Sequence, residues 1–309
     1  MTLLLRFLFI LCFVLIVSWA ANSSLAQQVA LPRVIVDADT ANEIDDHYAI
    51  VRMLNQDKFK VLGLTSAQWI HYLGEADSVE ASQRENEALL KLLGKEDLPN
   101  FLGSKEPMGK PWGGTDAKDS AAAQFIIAQA KRLPPGEKLI VVCTGASTNL
   151  ASAIKLQPKI ASQIKLYLLG FQYDFESGVW NKSEFNIRRD LNAADFVLDQ
   201  KDLEVHVMPV SVAKQLTFSR QKTFSRNEKL GELGAYLTKR WQDHASGQDT
   251  RIIWDLALVE ALIRPELAKQ VQVSGPPENT ARKVWMYSQI DADAMRSDFW
   301  KTTLGKFSK

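Results

Sequence analysis

The run Val34-Ile35-Val36-Asp37-Ala38-Asp39-Thr40-Ala41-Asn42-Glu43-Ile44-Asp45-Asp46 decides how the rest of the chain is read. Its β-branched start predicts a buried strand over Arg33 to Ala38, and a helix is predicted from about Ile44 to Gln56. Five carboxylates fall within the ten residues between Asp37 and Asp46. Like charges this close repel unless a cation neutralises them. Ligands that are all oxygen select a hard ion, Ca²⁺ or Mg²⁺. The favourable field of a helix N-terminus accounts for Glu43, Asp45 or Asp46 singly. It does not account for Asp37 and Asp39 at the end of a strand, so a metal site is the preferred reading.

Outward from this stretch, short apolar runs alternate with amphipathic helical ones, which predicts an α/β domain with a mostly parallel sheet. Strands are expected at Phe59 to Thr65, Leu139 to Cys143, Ile164 to Leu169 and Glu204 to Met208. Helices are expected over about Glu75 to Leu93, Ser120 to Arg132, from Thr148, and over Asn192 to Leu198. Phe218 to Ala245 reads as helical with a break at Gly231 or Gly234, and Ile252 to Ile263 as another helix. Two strand-like runs, Val271 to Ser274 and Lys283 to Ser288, close the chain. Ligands of such a sheet sit beyond the carboxyl ends of its strands, so the segments after Ala38, Thr65, Cys143 and Leu169 are expected on one rim.

The 309 residues carry 37 Lys and Arg against 36 Asp and Glu, which gives no basic excess for nucleic acid or a membrane surface. Leu3 to Ala21 is apolar except for Arg6 and Ser18, and Ser24-Leu25-Ala26 follows. This predicts a signal peptide over residues 1–26, cleaved after Ala26, and hence a secreted or periplasmic protein with no membrane attachment once cut. An uncleaved anchor is the alternative, since such a run can just span a bilayer. Cleavage removes Cys12 and leaves Cys143, which lies in an apolar run and reads as a buried core residue.

Several motifs in order resemble the inosine-uridine preferring nucleoside hydrolase family. They are Asp37-Ala38-Asp39…Asp45-Asp46-His47-Tyr48-Ala49-Ile50, Thr144-Gly145-Ala146-Ser147-Thr148-Asn149-Leu150-Ala151, Glu184-Phe185-Asn186…Asp190…Ala193-Ala194 and Trp254-Asp255. The resemblance implies that residues 27–309 form one catalytic domain on a Rossmann-like core, in a homodimer or homotetramer, hydrolysing the N-glycosidic bond of a nucleoside. It implies one Ca²⁺ held by Asp39, Asp46, Asp255 and the carbonyl of Thr144. Asp39 would be general base on the attacking water. Asp45 and Asn186 would bind the 2′ and 3′ hydroxyls of ribose, Glu184 and Asn181 the 5′ end, and Asp37 would support the loop from behind.

The chain also departs from the family pattern. The acidic loop is two residues longer, which leaves the role of Glu43 open. The Gly-Asn pair expected after the second strand is replaced by Thr65-Ser66-Ala67-Gln68-Trp69. Trp254 stands where many relatives have the His that protonates the leaving base, and indole cannot do so. Trp254 or Trp69 stacking on the base, with solvent or another side chain supplying the proton, is one explanation, and His71 and His244 are the candidate acids. A leaving group other than a nucleobase is another. A binding protein without turnover is a third reading, disfavoured by the retained Asp39. His47 and His206 read as packing residues, and Trp112 and Trp180 as loop aromatics that either pack or line a pocket.

Overall fold

Val34, Ile35 and Val36 are all fully buried because strand β1 (Arg33–Ala38) lies inside the sheet with helices over both faces. Period-two alternation divides it: Val34, Val36 and Ala38 enter one apolar layer and Ile35 the other. The same division recurs in β4, where Ile140 and Val142 face the first layer and Leu139, Val141 and Cys143 the second. The computed structural model describes residues 30–70 and 77–307. The expected signal peptide and His71 lie outside the described residues.

The chain continues as α1 (Asp45–Leu54), β2 (Lys60–Ser66), α2 (Ser78–Leu92), β3 (Asn100–Leu102), α3 (Ala121–Lys131), β4 (Leu139–Cys143) and α4 (Thr148–Leu156). After β5 (Ile164–Leu169) come the short strands β6 (Gln172–Asp174) and β7 (Val179–Asn181), then α5 (Phe185–Arg189), α6 (Leu191–Asp199) and β8 (Glu204–Met208). The last third holds α7 (Val210–Ala213), β9 (Thr217–Ser219), α8 (Arg220–Asn227), α9 (Gly231–Ala245), β10 (Thr250–Ile252), α10 (Trp254–Ile263), β11 (Ala268–Ser274), β12 (Lys283–Ile290) and α11 (Ala292–Phe307).

The main sheet has eight strands in the order β11-β12-β8-β5-β4-β1-β2-β3. Every neighbouring pair is parallel except β11 with β12 at one edge. The chain moves outward from β1 through β2 to β3, then returns to place β4 on the other side of β1. Strand order therefore reverses between β1 and β4, and a crevice opens there at the carboxyl ends. Residues Pro32–Lys309 form one compact unit. No helix among the described residues is long and apolar enough to cross a membrane.

Two features correct the expected pattern, and a third decides between expected alternatives. Thr217–Ser219 and Thr250–Ile252 pair as an antiparallel ribbon, so the helical stretch begins only at Arg220 and the later helix only at Trp254. The break falls at Gly231, whose φ of 59° suits glycine. The chain ends in a helix, α11, which packs Met295, Phe299, Trp300 and Thr303 inward at helical spacing. The charged residues between them mask that period in the sequence.

Candidate active site

The acidic stretch lands on the rim of this crevice. The amide of Thr144 donates to the carbonyl of Asp37 at 3.0 Å and that of Ala67 to Ala38 at 2.8 Å, so the loops after β1, β2 and β4 diverge from one place. A cavity of about 310 Å³ opens there, at the small end of the range for ligand sites. Asp39, Asp45, Asp46, Thr144, Glu184, Asn186, Trp254 and Asp255 all line it.

Asp37 stands behind the cavity. Its Oδ1 accepts from Thr65 Oγ1 at 2.7 Å and Asn149 Nδ2 at 2.8 Å, and the Cys143 thiol lies 3.9 Å from Oδ2. Burial pushes its carboxyl up to about 6 against those donors. Cys143 is buried in the apolar layer, and burial pushes its thiol well up, as a core cysteine requires.

The four lining aspartates come from two helix starts and one strand end. Asp45 and Asp46 occupy the first turn of α1, and Asp255 that of α10, where the helix field favours negative charge. Asp39 follows β1. All four are buried. Burial is the main reason each carboxyl is raised, to about 6 for Asp45 and Asp46 and well above the usual range for Asp39 and Asp255. Their mutual repulsion adds to this. Asp39 lies within hydrogen-bond reach of Asp46, and Asp45 of Asp255.

Asp39 Oδ2, Asp46 Oδ1 and Asp255 Oδ1 are buried without a hydrogen-bond partner. Orphaned acceptor oxygens in a negative cluster are costly, and a hard cation supplies what they lack. The residues therefore fit a metal. Asp45, Asp46 and Asp255 bring one oxygen each within 4.8 Å of one another, a grouping that shares Asp46 and Asp255 with the set inferred from resemblance but has Asp45 in place of Asp39.

On the opposite wall Glu184 caps α5, its Oε2 accepting from the amide of Ile187 at 3.2 Å. Burial raises its carboxyl, against backbone amides that include Phe171. Asn186 donates through Nδ2 to the carbonyls of Thr144 at 2.6 Å and Leu169 at 3.3 Å. That orientation leaves Oδ1 for a donor from a ligand. Gly145 lets Asp39 come close, since a Cβ at 145 would meet Asp39 Cβ at 2.9 Å.

Other expected positions lie elsewhere. Asn181 is exposed, with its carboxamide oxygen taken by the Ser183 amide at 2.8 Å, and Ser183 lines the cavity in its stead. Trp69 is buried outside the cavity lining, with its amide on Ser78 Oγ at 3.4 Å. His244 sits on α9 away from the lining, among Arg240, His47 and Glu85. No histidine lines the cavity among the described residues. His47 is fully buried and pairs with Glu85 at 3.0 Å, and His206 stacks on Tyr167. Trp180 donates to the Ser274 carbonyl at 2.9 Å and packs on Phe171, while Trp112 is 85% exposed.

Asn42, Glu43, Gln172, Phe185 and Val210 line the cavity without having been expected there. Phe185 lies between two expected site residues, and Glu43 in the acidic run, so both carried a signal. Gln172 falls in the segment after Leu169 that was expected on the rim, and Val210 carried no signal. Glu43 pairs with Arg251 of β10. Partial burial, reinforced by Asp45, raises the carboxyl of Glu43 against that cation.

Such a sheet, with buried carboxylates around a cavity at its switch point, defines a single-domain α/β enzyme acting on a small molecule. The chain belongs to the inosine-uridine preferring nucleoside hydrolase family, whose sequence model matches residues 34–296. It is accordingly a hydrolase of N-glycosyl bonds. It is 26% identical over 268 residues to a probable uridine nucleosidase 1 of Oryza sativa subsp. japonica, covering 78% of this chain and 79% of that one. It is 25% identical over 262 residues to uridine nucleosidase 1 of Arabidopsis thaliana, covering 76% and 75%. A plant nucleoside hydrolase shares the fold with a TM-score of 0.70 at 18% identity, covering 90% of this chain and 100% of that one. A purine-preferring ribonucleoside hydrolase from Gardnerella vaginalis does so with 0.67 at 20%, covering 88% and 98%.

Proposed function

We propose that the protein is a Ca²⁺-dependent N-ribohydrolase that splits ribonucleosides into ribose and free base. The observation that carries this reading is the set of partnerless buried oxygens on Asp39, Asp46 and Asp255 beside Glu184 and Asn186 in one small cavity. Asp39, Asp46, Asp255 and the Thr144 carbonyl would hold the ion, and three carboxylates with a backbone carbonyl favour Ca²⁺ over Mg²⁺, which keeps most of its waters. When bound, the ion supplies Lewis-acid polarisation of a water and of sugar hydroxyls. Asp39 accepts the proton of the water that attacks the anomeric carbon. Asp45 and Asn186 Oδ1 orient the 2′ and 3′ hydroxyls, and Glu184 the 5′ hydroxyl. The surrounding carboxylates stabilise the positive charge that develops on the sugar. Trp254 offers a stacking face to the leaving base.

Purified protein incubated with inosine, uridine, adenosine and guanosine, with and without EDTA, tests this. Base release that EDTA abolishes and Ca²⁺ restores is expected, and release from none of the four refutes it. A second reading, a riboside whose leaving group needs no protonation, is favoured by the absence of a histidine from the described lining. Hydrolysis of nitrophenyl riboside alone selects that reading. The leader-like residues before Gln27 support action outside the cytoplasm, which N-terminal sequencing of exported protein checks.

A further inference from the structure

The residues assigned to cation and sugar leave an outer wall made of Asn42, Glu43, Gln172, Phe185, Val210 and Trp254. Whatever the sugar carries must meet that wall. Glu43 is its only charged member. It lies in the acidic loop where this chain is longer than the family pattern, so it belongs to this chain rather than to the shared core.

Its position is fixed from a distant part of the sequence. Arg251 donates through Nη2 to Glu43 Oε2 and through Nη1 to Gln248 Oε1 at 3.2 Å. The Arg251 backbone pairs with Phe218 in the β9–β10 ribbon, and its side chain is only 12% exposed. A guanidinium pinned in this way pins the carboxylate it touches. Glu43 Oε1 has no hydrogen-bond partner among the described residues, on a side chain that lines the cavity.

We propose that Glu43, oriented by Arg251, reads the leaving base, with Oε1 accepting a hydrogen bond from a ring N–H. Bases that present such an edge, the 6-oxopurines and uracil, are then preferred over bases in which that position is blocked. This rests on the ribohydrolase reading. Glu43 is 42% exposed, so water competes for Oε1 and the preference is modest, about tenfold, rather than that of a sealed site.

The test is the kcat/KM ratio of inosine to 1-methylinosine and of uridine to 3-methyluridine, at about pH 8. Wild-type protein is expected to show ratios of about tenfold or more. Both Glu43→Gln, which keeps the shape but, with its amide oxygen held by the Arg251 donor, turns an NH2 group in place of Oε1, and Glu43→Ala should bring them down at least threefold. Arg251→Met should lower them too. A loop that is merely structural would slow parent and methylated substrates equally and leave the ratios unchanged, overturning the inference. A ratio near one in active wild-type protein overturns it without any variant, and so decides the matter if a variant does not fold. A ratio lost in Glu43→Ala but kept in Glu43→Gln marks steric exclusion and also overturns it. Wild-type protein inactive on every nucleoside brings down the ribohydrolase reading and this inference together, a result distinct from a flat ratio in an active enzyme.

Discussion

Asp39 and Asp46 concentrate the proposed chemistry in two side chains. Asp39→Ala and Asp46→Ala are each expected to lower kcat on a nucleoside by about 10²-fold or more while far-UV circular dichroism stays native. Near-wild-type rates in either would remove that residue from the ion and the water. Gly145→Ala probes the same point without touching a carboxylate. The added methyl would sit 2.9 Å from Asp39 Cβ and 3.0 Å from Ala67 Cβ, so Asp39 must shift. The expected outcome is a fall in kcat of tenfold or more, with a stability loss of about 1–3 kcal/mol by urea titration. The aspartates were legible because charge density in a short run is a local property. Asn181 and Trp69 were not, because both lie on segments whose path depends on contacts from elsewhere: Asn181 is turned to Ser183, and Trp69 is held at Ser78.

Two helices carry Asp45, Asp46 and Asp255 of the acidic cluster, and a buried ion pair joins them. Arg52 Nε of α1 meets Glu260 Oε1 of α10 at 2.6 Å, and its Nη2 meets Asp298 Oδ2 of α11 at 2.6 Å. Glu260 is fully buried, and burial pushes it up to about 7 against the pull of Arg52. Arg52→Met leaves that carboxyl without its countercharge, and chemical denaturation should show a loss of about 3–5 kcal/mol. Arg52→Met combined with Glu260→Met should recover most of it; equal loss in both would mean that Arg52 acts through Asp298 or packing. At this scale β1, β4, β5 and β8 were readable to the residue, since β1 and β4 are apolar runs buried on both faces and β5 and β8 set apolar residues in alternation with Lys165, Tyr167, Glu204 and His206. The β9–β10 ribbon was not, because a three-residue strand is recognisable only beside its partner.

Across the whole molecule the cluster ties stability to pH and, on the proposed function, to a bound cation. Burial pushes Asp37, Asp45 and Asp46 up to about 6, above the ordinary 3.8. Between those values the folded, metal-free protein binds more protons than the unfolded chain, so their contribution is complete below 3.8 and is lost as pH rises through 6. Glu204 works the other way: it is held down at about 2 although burial opposes this, chiefly by His206, Lys138 and Lys165, and its contribution fades only below the ordinary 4.5. In EDTA the thermal midpoint should therefore fall between about pH 4.5 and pH 6. Ca²⁺ at a hundredfold excess over its Kd should restore about 2.7 kcal/mol at neutral pH, and its affinity should weaken on acidification through about 6. A midpoint in EDTA that rises with pH over that range would contradict the raised carboxyls.

The sequence by itself determined the parallel α/β class, the central strands, the family and the carboxylates of the site. Each of these is written in residues near one another, as alternation, charge density or a short motif. The tertiary structure decided what faces what: Asn186 turned onto the Thr144 carbonyl, Trp69 kept out of the cavity, and Glu43 held by a cation 208 residues away. Such contacts depend on how the folded chain returns to the switch point of the sheet, and no local pattern encodes that return.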